Sequence, residues 1–147
     1  MPRQGRKLPI AEGLFGLLAD AANAAARRYR ANHPDGISLG QFKVLSKLIH
    51  AGPQHQRALC AMTGIDRSTM SAMLPTMVRN GLITLYRSQA DRRVTRATVT
   101  PRGLEEHGKA LKAVMRAEKE LAKALNISTF PIVRNALHKL AEVGADA

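Results

Sequence analysis

Apolar positions recur at helical spacing along most of the chain. Ile10, Leu14, Leu17, Leu18, Ala21 and Ala25 share one face of a helix expected over residues 9–31. Asn32-His33-Pro34-Asp35-Gly36 ends it with proline and glycine. Ser38 and Gln41 stand in the Ser-x-x-Gln spacing of a capping box, where each side chain satisfies an otherwise unpaired amide at a helix start. Phe42, Leu45, Leu48 and Ile49 follow at helical spacing until Ala51-Gly52-Pro53. A short helix is expected from about His55 to Thr63, closed by Gly64, and Asp66 caps another that reaches Asn80 and stops at Gly81. In that helix Met70, Met73, Leu74, Met77 and Val78 form an apolar stripe for core packing, with Ser68, Ser71, Ala72, Pro75, Thr76 and Arg79 opposite. Pro75 removes one helical hydrogen bond, to the carbonyl of Ser71, and predicts a kink.

After Gly81 the period shortens. Leu82-Ile83-Thr84-Leu85-Tyr86 has strand composition, and Val94-Thr95-Arg96-Ala97-Thr98-Val99 alternates as a returning strand across a charged turn, Ser88 to Arg93. Thr100-Pro101 is a helix start, with a capping hydroxyl before a proline at the first helical position. Leu104, Leu111, Met115, Leu121 and Leu125 line the helix from 101 to about 125. Asn126-Ile127-Ser128 breaks it, and Phe130, Val133, Leu137 and Leu140 mark a last amphipathic helix. The order is four helices, a two-stranded ribbon and two helices: a mainly α fold with a small β-wing. Two helices joined at Gly64 and followed by a basic ribbon make a winged helix-turn-helix. It occupies residues 38–103, between an N-terminal arm and dimerisation helix in 1–37 and C-terminal dimerisation helices in 104–147, all one integrated domain. The long flanking helices cannot bury their stripes on so small a module, and a homodimer is expected.

Charge narrows the class of partner. The chain has 147 residues, 45% hydrophobic, with 23 Lys and Arg against 11 Asp and Glu. That is one domain with enough apolar material for a core, so its net charge of +12 does not imply disorder. Ten of the bases and only two of the acids lie in residues 38–103, which concentrates the excess on the winged segment. A folded module this basic meets a polyanion. Nucleic acid is the leading candidate, and with aromatic residues at 3% and no Trp, stacking on single strands is disfavoured; the winged helix-turn-helix points to double-stranded DNA. Glu12, Asp20 and Asn23 interrupt the apolar stretch near the N-terminus, so neither a signal peptide nor a membrane span is expected, and the location expected is cytoplasmic.

The middle of the chain resembles the MarR family of transcription regulators. The likeness rests on Gln41-Phe42-x-Val44-Leu45-x-x-Leu48, on Leu59-x-x-x-x-Gly64-Ile65-Asp66-Arg67-Ser68-Thr69-Met70-Ser71, and on Gly81-Leu82-Ile83. Asp91-Arg92-Arg93 and Val99-Thr100-Pro101-Arg102-Gly103 complete it. His55 and Ala58 depart from the small hydroxyl residue and the acid common there in the family, and Pro75 replaces a polar residue.

The helix after Asp66 is the candidate major-groove reader. Ser68, Thr69, Ser71, Ala72 and Pro75 make a short, uncharged face able to sit deep, with Arg67 and Arg79 as its long donors. The resemblance implies that Arg93 enters the adjacent minor groove, oriented by Asp91, while Arg92 meets phosphate. Arg87 and Arg96 on the strands are expected to face phosphates. It also implies a small, aromatic anionic effector, for which Arg27, Tyr29, Arg30 and His50 could supply charge and hydrogen bonds. Cys60 is expected to be a buried, inert thiol. A redox role for it, or use of the helical dimer as a protein-binding adapter, are the alternatives. The five histidines lack metal-ligand spacing, and no cofactor, metal or enzymatic activity is expected.

Overall fold

A computed structural model describes residues 13–126 and 128–145. The expected helix start at residues 9–12, including Ile10, lies outside them. The chain divides into two compact units, Arg30–Val114 and a second made of Met1–Tyr29 with Met115–Ala147.

Within Arg30–Val114, helices α2 (Leu39–Ala51), α3 (Gln56–Thr63) and α4 (Arg67–Arg79) precede a small antiparallel sheet. The sheet has three strands rather than two, β1 (Gln54–His55), β2 (Ile83–Arg87) and β3 (Thr95–Val99), in the order β1-β3-β2. Ile83 pairs with Val99 and Arg87 with Thr95, while His55 pairs with Arg96 on the other side of β3. Val44, Leu45, Leu48, Leu59, Met70, Leu74, Met77, Ile83 and Ala97 are buried and form the core beneath the sheet and helices. The apolar stripe of α4 is narrower than its spacing implied, because Val78 remains 38% exposed. Pro75 lies inside α4, which runs from Arg67 to Arg79.

Side-chain caps fix the starts of these helices. The Ser38–Gln41 box forms with bonds of 3.1 and 3.0 Å. α3 is capped by imidazole where a hydroxyl is common: the Ala58 amide donates to His55 Nδ1 at 3.1 Å, so that nitrogen carries no proton. Gly64 ends α3 at φ 71°, in the left-handed region that a tight turn between two helices demands. The start of α5 (Pro101–Ala124) docks on α2 through His107. Its ring stacks on Phe42 with centroids 4.8 Å apart. Ser46 Oγ donates its single proton to the Phe42 carbonyl, so His107 Nε2 is the donor in their 2.9 Å contact. Burial, then the nearby His50, holds the His107 pKa below its ordinary value.

The second unit contains most of α1 (Leu14–Asn32), the end of α5, and α6 (Phe130–Ala145). Arg28 pairs with Glu120 at 3.4 Å on its surface. Tyr29 and Ala117 are buried there. Phe15 at 87% exposed, Ile132 at 69% and Val143 at 72% are not, and Leu14, Leu17, Met115, Leu137 and Leu140 are exposed with them. That is a large exposed apolar content for long helices.

Candidate nucleic-acid interface

The start of α4 is held by an acid. Asp66 Oδ1 accepts from the Thr69 amide at 2.8 Å and from Ser68 Oγ at 2.9 Å, and Oδ2 accepts from Thr69 Oγ1 at 2.6 Å. Thr69's hydroxyl and amide, then Ser68's hydroxyl, lower the Asp66 pKa to about 2. A folded pKa below the ordinary 3.8 means that the carboxylate's contribution is complete above that value and is lost as pH falls through about 2. The stability difference between wild type and Asp66→Asn is therefore expected to hold steady from neutral pH down to about 4.5 and then shrink with acid. Urea titrations across that range measure it; a difference gone already at pH 5 would contradict the cap.

The wing loop, residues 88–94, closes on its own backbone. Ser88 N donates to Val94 O at 2.8 Å, Val94 N to Asp91 O at 3.0 Å, and Arg93 N to Asp91 Oδ1 at 3.0 Å. Asp91 thus acts on the main chain of Arg93 and leaves Arg92 and Arg93 exposed at the tip. The Arg96 guanidinium donates to the Pro53 carbonyl at 3.3 Å, next to β1. Arg87 is exposed at the end of β2.

Between wing, α3 and α4 lies a groove of about 780 Å³. Arg67 and Ser71 enter it from α4, Arg93 from the wing, and His55, Gln56, Arg57 and Cys60 from the start and middle of α3. Three guanidinium-bearing residues around one open groove give it the charge and donors to hold a polyanion. Gln56, Arg57 and His55 were not singled out from sequence; the exposed Arg57, one residue into a short capped helix, was their readable sign. Cys60 is corrected as well, being half-buried and lining the groove rather than packed in the core. Ser68, Thr69, Ala72, Pro75 and Arg79 are exposed on α4, with Arg79 donating to Thr76 Oγ1 at 3.0 Å.

The four effector candidates are divided between the units. Arg27 and the buried Tyr29, whose phenol burial pushes up to about 12, belong to one. Arg30 and His50 belong to the other, where His50 Nδ1 donates to Ser46 O at 2.7 Å. Among the described residues no group of three or more His, Cys, Asp or Glu side chains could hold a metal ion, and no helix is long and apolar enough to cross a membrane.

The family model for the MarR family matches residues 37–95. Over that segment, the winged helix-turn-helix core, the chain is similar to the MarR family. Solved structures share the fold over nearly all of the chain. The transcriptional repressor CouR, bound to a 23-mer DNA duplex, is 28% identical with a TM-score of 0.79, covering 89% of this chain and 94% of its own. PcaV of Streptomyces coelicolor, in complex with its natural ligand, is 19% identical with a TM-score of 0.85, covering 95% and 99%. BpsR of Bordetella bronchiseptica, described with regulation of its DNA binding by 6-hydroxynicotinic acid, is 22% identical with a TM-score of 0.84, covering 90% and 96%. No curated protein sequence matches the chain. The family and these neighbours are transcription regulators with winged helices.

Proposed function

We propose that this protein is a homodimeric, cytoplasmic repressor of the MarR type that grips a pseudopalindromic DNA duplex through α4 and the wing and is released by a small aromatic acid. The observation that carries the reading is the convergence of Arg57, Arg67 and Arg93 on one groove beside the uncharged face of α4. Arginines supply grip on phosphate and, at Arg93, entry to a narrow A·T-rich minor groove, while Ser68, Thr69, Ser71, Ala72, Pro75 and Arg79 face the bases. Arg87, Arg92 and Arg96 are the proposed phosphate contacts of the wing. A second copy would cover the apolar positions on α1 and α6. CouR's capture on duplex DNA supports the binding mode, and BpsR's response to 6-hydroxynicotinic acid supports the effector class. Arg30 and His50, within one unit, are its proposed contacts. Cys60, lining the groove, favours a second reading in which oxidation of its thiol provides the release.

Selection of bound DNA from a random duplex pool tests this. Inverted half-sites about one turn apart, ~34–36 Å, are expected, with recovery reduced by one of a panel of aromatic acids. Peroxide applied to wild type and to Cys60→Ala separates the second reading. Failure to recover any inverted repeat would overturn the dimeric-repressor assignment.

A further inference from the structure

Hydroxyl groups can read DNA as donors or as acceptors, and the structure distinguishes among the four on α4. Each has one proton and two lone pairs. Ser68 and Thr69 have given their protons to Asp66, at 2.9 and 2.6 Å. Thr76 turns its proton to the Ala72 carbonyl, at 3.5 Å, and accepts from Arg79. Ser71 is opposite in sense. Its oxygen accepts the side-chain amide of Gln56 at 2.6 Å, which fills one lone pair and turns the proton away from α3. Ser71 is exposed and lines the groove with Arg67.

We propose that Gln56 fixes the hydrogen-bond polarity of Ser71, making it a donor that selects guanine over cytosine at one base pair of each DNA half-site. The inference rests on the DNA-binding reading above. In the major groove guanine presents only acceptors, N7 and O6, whereas cytosine presents the N4 amino donor. A hydroxyl whose proton is turned to the groove bonds the first through that proton and can meet the second only through its one remaining lone pair. The discrimination expected from one net hydrogen bond is about five- to tenfold. Gln56 is a positioning residue here: it acts on the base through Ser71.

A purely structural tie between α3 and α4 would predict a different result. Gln56→Glu replaces the donating amide with a carboxylate that only accepts. Ser71 must then turn its proton to residue 56 and show lone pairs to the groove. Binding selections with wild type, Gln56→Glu, Gln56→Met and Ser71→Ala read the outcome as the guanine-to-cytosine ratio at each position, which a uniform loss of affinity from the added charge does not alter. Ser71→Ala is expected to abolish the preference at one position per half-site. Gln56→Met, which keeps side-chain length, should bring the ratio there within about twofold of unity, and Gln56→Glu should invert it toward cytosine. Thermal unfolding reports separately on any loosening of α3. Retention of the wild-type ratio in both Gln56 variants, or an unaltered selection with Ser71→Ala, would overturn the proposal. Absence of any inverted repeat with wild type would instead overturn the DNA-binding reading on which it stands.

Discussion

Gly103→Ala is expected to be the most damaging single-methyl addition in the winged lobe. A Cβ at position 103 would sit 2.1 Å from the Leu82 carbonyl oxygen, 2.9 Å from Val99 Cγ2 and 3.1 Å from the Leu82 carbonyl carbon. The obstacle is main chain, and it is pinned. Leu82 O accepts from Thr100 N at 3.1 Å, and the Thr100 hydroxyl proton is shared between Leu82 O at 3.0 Å and Gly81 O at 2.5 Å. Thr100 Oγ1 in turn accepts from Gly103 N at 2.9 Å, which straps the first turn of α5 to the start of β2. Relief requires either breaking that strap or tilting α5 away from the sheet. Such overpacking against fixed backbone costs about 3 kcal/mol or more, a large share of the ~5–15 kcal/mol that holds a domain folded. Urea unfolding measures it, with Gly108→Ala as control. A Cβ at Gly108, in the same helix, meets nothing within 4 Å, so that variant should be neutral or gain up to ~1 kcal/mol from helix propensity. Equal midpoints for Gly103→Ala and wild type would contradict the strap.

This contact also marks the boundary of what sequence could reveal. Thr100-Pro101 was readable as a helix start because a cap involves neighbours three residues apart, and the same holds for Ser38–Gln41 and Asp66–Thr69. That Gly103 must be glycine depends on the Leu82 carbonyl, which only the folded chain brings there. β1 escaped notice for a related reason: two residues, Gln54 and His55, carry no period, and their pairing with Ala97 and Arg96 is long-range. Amphipathic spacing located the apolar side of α4 correctly at Met70, Leu74 and Met77 but could not show where the stripe ends, so Val78 was placed inside. Cys60 was misplaced because an eight-residue helix offers only two turns from which to judge its buried face. For the candidate DNA contacts, exposure on α4 and at the wing tip was legible; commitments between side chains were not. Asp66 consumes the protons of Ser68 and Thr69, Pro53 takes the Arg96 guanidinium, and Gln56 meets Ser71 fifteen positions away.

Arg92→Ala combined with Arg93→Ala is expected to weaken duplex binding by about a hundredfold at low salt and to reduce the salt slope by roughly two units per protomer. Each arginine at a phosphate or in a narrow minor groove releases about one counterion, so losing two flattens the dependence in proportion. The fold should be indifferent to the change. Both side chains are exposed, and the bonds that close the wing, from Ser88 N, Val94 N and Arg93 N, are main-chain donors that alanine retains. Unfolding free energy is expected to stay within about 0.5 kcal/mol of wild type. Titrations at several salt concentrations measure affinity and slope together, and an unchanged slope would remove the wing from the interface. The same variant separates grip from reading. Because Ser71 and Arg67 remain on α4, a selection with it should still return the base preferences of the half-site centre, at lower yield. What should disappear is the A·T-rich flank, whose narrow groove attracts arginine and which α4 does not touch. If the flank persisted and the centre blurred, base selection would lie in the wing, and the neutral face of α4 would be reduced to a spacer that lets the arginines close on phosphate.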